Sequence, residues 1–309
     1  MAMAMDPQLP YNGPMIDAHH HFWDPTVNYH PWLSGPEIIP FRYGDYTAIR
    51  RRYFPDDYFR DAHGHDVKKT VYVETEWNPK DPIGEVRFIS GIATRYGVPN
   101  AIVGQAWLDR ADIEAVLAGE ATFPLVRSVR HKPGGATSPT EAKAGRRTLM
   151  SDEKWRRGYA LLEKYQFRFD LQTPWWNLHE AVALARDFPR TTIILDHTGL
   201  PADRRPEGLE GWHKAMSALA WMPNVAVKVS GIGQKGLPWT VEDNRWIVLE
   251  TIAMFSPHRV MFGSNFPVDS LCGTYDQIMG GFKEITKAFS DADKFAMFYE
   301  NAKIFYDIR

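Results

Sequence analysis

Eight short runs rich in β-branched and aliphatic residues recur along the chain, at 15–17, 70–74, 101–106, 125–130, 166–171, 192–196, 224–229 and 259–263. Between most of them lie segments with helical periodicity, among them 151–165, 178–188 and 241–255. Strands that alternate with helices are joined by right-handed crossovers, which makes neighbouring strands parallel. Eight such units in roughly 250 residues have the size and rhythm of an α/β fold of the (β/α)8 type, a TIM barrel. An open doubly wound sheet usually has fewer strands and a glycine-rich first turn. Here the first turn holds His19, His20 and His21 instead. No break in composition interrupts the 309 residues, so one barrel domain is expected over 15–309, after an N-terminal arm over 1–14. Asn177 with Glu180, and Ser290 with Asp293, read as helix starts, each pairing a capping side chain with an acid three residues on.

Composition narrows the partners. With 44% hydrophobic and 24% charged residues the chain is ordinary globular material, and a net charge of −2 lacks the basic excess that nucleic acid or an anionic membrane requires. A small molecule is the expected partner, and assembly with further copies of the chain is left open. No apolar run approaches the roughly 20 residues of a membrane span. The first 14 residues lack the charged start and apolar stretch of a signal peptide, and the one cysteine, Cys272, reads as a buried residue. A cytoplasmic location is expected on these grounds.

In a barrel, the residues that end each strand converge on one rim, where active sites are built. On the first strand side chains alternate, so His19 and His21 share a face and His20 takes the other. Their apolar and aromatic flanks, Met15-Ile16 and Phe22-Trp23, mark a buried strand rather than an appended histidine tail. The later strand ends supply Glu74 or Glu76, Gln105, Arg130 with His131, Asp170 with Gln172, His197, Lys228 with Ser230, and Asn265 followed by Asp269. A rim this polar suits chemistry on an oxygen-rich anion.

Four motifs make a family resemblance specific: Ile16-Asp17-Ala18-His19-His20-His21-Phe22-Trp23, Leu195-Asp196-His197-Thr198-Gly199, Val227-Lys228-Val229-Ser230-Gly231 and Met261-Phe262-Gly263-Ser264-Asn265-Phe266-Pro267. In this order the chain resembles the amidohydrolase superfamily, and within it the branch of sugar and muconate-type lactonases. The resemblance implies that His19, His21 and His197 line a metal or substrate site. It also implies that Arg130 and His131 lie close to a substrate carbonyl or carboxylate, where a guanidinium offers a planar pair of donors. Family members commonly end the eighth strand with an aspartate that acts as base toward water, and here Asn265 stands in its place. An amide takes no proton at neutral pH, so the base is sought among Asp269, Glu74 and the histidines. No lysine ends the fourth strand, which argues against a two-metal centre. One zinc on His19, His21 and His197 is compatible with the pattern, as is metal-free catalysis, since some lactonases of this branch use the same residues on the substrate.

The long connection 22–66 carries eleven aromatic residues and is expected to fold over the barrel mouth, with Trp23 and Trp32 as its ligand candidates. The connection 132–150 reads as a rim loop whose Lys132, Arg146 and Arg147 form a solvated charge cluster. Trp175 is a candidate pocket wall, and Glu74, Asp170 and Gln172 are candidate substrate contacts. Together these readings favour a hydrolase that opens a lactone from sugar-acid or aromatic catabolism, with a lactone or carboxylic acid as ligand. A zinc-dependent decarboxylase of aromatic acids and a non-catalytic binding barrel are the alternatives.

Overall fold

The computed structural model describes residues 9–309, so residues 1–8 of the expected arm lie outside the described residues. Eight strands, β1 (Met15–His20), β2 (Val67–Val73), β3 (Ala101–Gln105), β4 (Val126–Arg130), β5 (Arg168–Leu171), β6 (Ile193–Leu195), β7 (Val225–Val229) and β8 (Val260–Phe262), pair in parallel in chain order. Just past β8 the chain returns to β1. The Asn265 amide donates to the His19 carbonyl at 2.7 Å, the His21 amide donates to the Phe266 carbonyl at 2.8 Å, and His20 bridges Phe266 in parallel. These bonds close the (β/α)8 barrel.

The expected helices form at Glu153–Lys164, Leu178–Asp187 and Val241–Phe255, and Ser290 caps its helix by accepting from the Asp293 amide. Asn177 does not act as a cap. Its amide donates to the Ala136 carbonyl, and the Glu180 carboxylate is drawn across to the Thr148 backbone and hydroxyl. A tertiary partner has outcompeted the local one at that position.

Simple alternation does not by itself account for the histidines. Ile16 and Ala18 pack inside the barrel with Val71, Val73, Ala101, Val103, Ile194, Ala226 and Met261, and strict alternation from them would turn His20 inward. The register of β1 against β2 slips between Asp17 and His20. A slip of this kind places successive residues on the same side and reverses the parity that follows. His19 therefore comes within 5.1 Å of His21 and 4.6 Å of His197, ring centre to ring centre, while His20 packs outward on Phe22 and Tyr58 at 4.5 and 4.9 Å. Asp17 braces the slip. Its buried carboxylate accepts from the Ser264 amide and hydroxyl at 2.8 and 2.6 Å, from Tyr58 at 2.7 Å and from the His19 amide at 3.2 Å.

The far end of the barrel is plugged by the C-terminal segment, where Ala302, Tyr306 and Ile308 join the interior cluster. Gly263, directly after β8, lies against β1 so closely that an added Cβ would stand 2.6 Å from the His19 Cβ and 2.8 Å from its backbone nitrogen. Gly263→Ala is expected to push β1 and β8 apart beneath the histidines and to cost about 1–3 kcal/mol, the usual range for overpacking. Urea unfolding of the two proteins measures this, and a loss below about 0.5 kcal/mol would show that the closure tolerates the methyl group.

Candidate functional site

Inside the barrel, charged side chains alternate in sign. Arg130 Nε donates to Glu74 Oε1 at 2.6 Å and its Nη1 donates to Asp196 Oδ2 at 3.2 Å. Asp196 Oδ1 then stands 3.3 Å from Lys228 Nζ, which is paired with Asp170. Ser128 and Tyr306 donate to Asp170 at 2.6 and 2.7 Å, so its carboxylate is satisfied on both oxygens. Every member of this ladder is buried. Burial works against the Arg130 charge, yet Glu74 and Asp196 hold the guanidinium pKa above its ordinary value. At Asp196 burial is likewise overcome, by Lys228, His19 and Arg130, and the carboxyl is held well below the usual carboxylate range. Arg130 is further fixed by the Glu74 carbonyl at 2.6 Å and Gln172 Oε1 at 3.0 Å.

Above the ladder lies a cavity of about 330 Å³ at the strand ends. His21, Glu74, Glu76, Arg130, Gln172, His197 and Asn265 line it from the barrel, Trp23, Trp32, Phe41 and Arg42 from the 22–66 connection, and Lys132 from the loop after β4. The aromatic connection thus folds over the mouth. Trp23 anchors itself by donating to the carbonyls of Ile49 and Arg51, and Trp32 by donating to that of Thr75. Four residues of the lining, Glu76, His197, Leu200 and Asn265, hold left-handed backbone with φ of 55°, 57°, 56° and 55°. Such strain collects where a structure fixes side chains for use, and Asn tolerates it better than most residues. Gly231, itself at φ 57°, leaves the space that the His197 ring and the Arg42 guanidinium fill, and its carbonyl accepts from Arg42 at 2.9 Å.

The imidazoles are held neutral. Burial lowers His19 and His197 well below the ordinary 6.5, and burial with the nearby Arg130 charge takes His21 to about 3. His21 Nδ1 stands 2.8 Å from the Val73 carbonyl, which places its proton there, and Nε2 meets the Asn265 amide oxygen at 3.2 Å. Asn265 Nδ2 in turn donates to Asp269 Oδ1 at 2.6 Å, and Tyr43 donates to the same oxygen at 3.0 Å. With its proton on Nδ1, His21 offers Asn265 a lone pair facing an oxygen. Turning the amide over relieves that contact and requires a proton on Asp269. Burial raises the Asp269 carboxyl to about 6, which brings this arrangement within reach near neutral pH.

Not all of the expected rim converges here. Asp170 lies below the cavity, within the ladder. Asp269 sits behind Asn265 rather than in the lining. His131 Nδ1 accepts from the Leu108 amide and Trp155 Nε1 at 3.1 and 2.9 Å, and its ring faces an adjoining cavity; burial lowers it to about 4. Trp175 lines a separate outer groove with Trp176 and His179. Lys132, expected in a solvated cluster with Arg146 and Arg147, instead lines the cavity and pairs with Glu76 at 2.8 Å. Arg42 was not singled out from sequence. Its signal was a lone cation between Phe41 and Tyr43 in an aromatic segment.

The three imidazoles expected to hold zinc lie together, each with one nitrogen engaged by or facing a neighbour. His19 Nδ1 is turned to Asp196 at 3.3 Å, His197 Nδ1 to the Ser230 hydroxyl at 2.9 Å, and His21 Nε2 to the Asn265 amide. Among the described residues no group of three or more His, Cys, Asp or Glu side chains is disposed to hold a metal ion. Each ring nonetheless keeps an Nε2, buried without a partner in His19, open in His197 and facing only the Asn265 oxygen in His21, so the donor chemistry of a zinc site is present although the three are not gathered on one point.

A family model described as Amidohydrolase matches residues 16–308. The chain belongs to the amidohydrolase family. An uncharacterized protein, y4mH, of Sinorhizobium fredii is 39% identical over 294 residues, 95% of this chain and 98% of that protein. The L-fucono-1,5-lactonase of Burkholderia multivorans is 27% identical over 276 residues, 85% of each chain. Among solved structures, an amidohydrolase from Burkholderia multivorans with bound HEPES superposes at a TM-score of 0.78 with 24% identity, covering 96% of this chain and 100% of that one. A zinc-bound form of that amidohydrolase gives 0.77. At this identity the likeness is one of fold, and the zinc belongs to that protein. As an amidohydrolase this chain is an enzyme of the hydrolase class.

Because its folded value of about 6 lies above the ordinary 3.8, Asp269 favours folding in its protonated form. Its contribution is full below about pH 4 and is lost as pH rises through 6, on the order of 3 kcal/mol in all. The stability difference between the parent and Asp269→Asn is therefore expected to move against the parent by about that amount between pH 4 and pH 7. Urea unfolding across that range measures it, and a difference constant with pH would count against a raised Asp269.

Proposed function

We propose that the enzyme opens a sugar-acid lactone by hydrolysis. The observation that carries this reading is the cavity itself, in which two cations, Arg130 and Lys132, face two neutral imidazoles, His21 and His197, beneath an aromatic cover. A lactone carbonyl set between Arg130 and Lys132 meets the one guanidinium N–H, on Nη2, that the four hydrogen bonds of Arg130 leave free, together with the Lys132 ammonium, as its oxygen becomes an oxyanion. The attacking water needs a proton acceptor. His197 suits that role, because its Nδ1 is held by Ser230 and its ring lines the cavity, which leaves Nε2 for the water. In the first step the water oxygen bonds to the carbonyl carbon and its proton moves to His197. In the second the ring C–O bond breaks and that proton passes to the departing ring oxygen, leaving a hydroxy acid; its carboxyl, which retains the other proton of the water, releases it to solvent and lies as a carboxylate beside the same cations.

The similarity to L-fucono-1,5-lactonase supports a hexono-1,5-lactone as substrate class. The wall of Trp23, Trp32 and Phe41 supports it as well, since aromatic faces pack against the apolar side of a sugar ring.

A panel of aldono-1,5-lactones, followed by proton release, tests the reading. Turnover by the parent is expected to fall about 100-fold or more in Arg130→Lys, which keeps the charge and loses the guanidinium's fixed orientation and its free Nη2 donor, a loss in the range seen when one oxyanion donor is removed. His197→Gln is expected to fall at least as far. No lactone turnover by the folded parent, or an Arg130→Lys variant as active as the parent, would overturn it.

A further inference from the structure

The cavity has a neighbour. A second space of about 350 Å³ opens beside the first, and Glu74, Glu76, Arg130 and Lys132 line both. The Lys132–Glu76 ion pair, 2.8 Å long and partly exposed, therefore stands as the partition between two lobes of one site. The second lobe has its own walls, Trp77, Trp107, His131 and Gln105. Trp107 is more than a third exposed, and it lies nearly parallel to the His131 ring at 6.3 Å with an interplanar angle of 20°. Gln105 is buried at the end of β3, in register with Arg130.

The chemistry of this lobe selects its ligand. Its charges are already paired, Arg130 with Glu74 and Lys132 with Glu76, so it offers no uncompensated charge to an ion. It does offer carboxylate oxygens, a primary amide and a flat indole. An apolar ring would bury those polar groups without partners, which costs free energy. A neutral ring carrying hydroxyl groups satisfies them and still stacks its C–H face on Trp107.

We propose that the second lobe is a subsite for a neutral sugar ring, so that the enzyme takes the lactone of a glycosylated aldonic acid. The lactone ring occupies the histidine lobe with its carbonyl at Arg130, and the glycosyl substituent passes the Lys132–Glu76 pair to rest on Trp107. This rests on the lactonase reading above and adds the substrate's second ring to it.

The test compares lactobiono-1,5-lactone, which carries a galactosyl ring, with D-glucono-1,5-lactone, which does not. The parent enzyme is expected to show kcat/KM about tenfold higher for the disaccharide lactone, the scale of one good aromatic stacking contact. In Trp107→Ala that ratio is expected to fall to about one, and in Trp107→Phe most of it is expected to return. A parent ratio of one, or a Trp107→Ala variant that lowers both substrates alike, overturns the subsite. Calorimetric binding of the open acids separates the two readings. Should no lactone turn over, lactobionate binding more tightly than gluconate, with the difference lost in Trp107→Ala, would support the subsite and remove the lactonase reading. Equal binding of the two acids would remove the subsite.

Discussion

A barrel interior that holds five charged groups away from water is stable only if no charge stands alone. Glu74, Arg130, Asp196, Lys228 and Asp170 meet that condition by alternating in sign from one strand to another across the barrel. A buried ion pair is a poor source of net stability, since desolvation offsets most of the attraction, but removing one partner leaves an uncompensated charge at a cost of roughly 3–5 kcal/mol. The ladder is therefore best understood as a positioning device. It fixes the Arg130 guanidinium by four hydrogen bonds, holds it charged, and presents it at the cavity floor.

The histidine arrangement depends on a second constraint, the slip in β1. A regular strand would have carried the inward parity of Ile16 and Ala18 on to His20. Asp17, held by Ser264 and Tyr58, stabilises the irregular backbone that sends His19 and His21 inward instead. The same contacts join the end of β8 to β1, so barrel closure and histidine placement are one structural event. Burial then keeps the rings neutral, because the interior already holds Arg130 and Lys228 and a further positive charge is disfavoured.

With an amide, Asn265, past the end of β8, the chemistry of the cavity falls to other groups. The Asp269 carboxylate lies one layer back and acts on the cavity through the Asn265 amide and, at 3.9 Å, the Arg42 guanidinium. Cations come from three different connections, Arg130 from a strand end, Lys132 from the loop after it and Arg42 from the aromatic cover. The result is a cavity that combines fixed positive charge with uncharged imidazoles.

The sequence by itself determined the barrel, because eight alternating apolar runs and helical segments leave few other packings for their hydrophobic faces. It also determined the family, through four motifs in order, and it pointed to Arg130, His21, His197 and Asn265, since strand ends converge on the rim in any such barrel. What it left open was everything set by contacts between residues distant in the chain. Asp170 was drawn down into the ladder by Lys228 and Tyr306, His131 was turned aside by Trp155, and Trp175 was placed in an outer groove. Lys132 and Arg42 entered the site because loops brought them there. Local pattern fixes which face of an element is apolar; which polar side chains meet is decided by pairing energies that exist only once the interior has excluded water, and only the tertiary structure carries those.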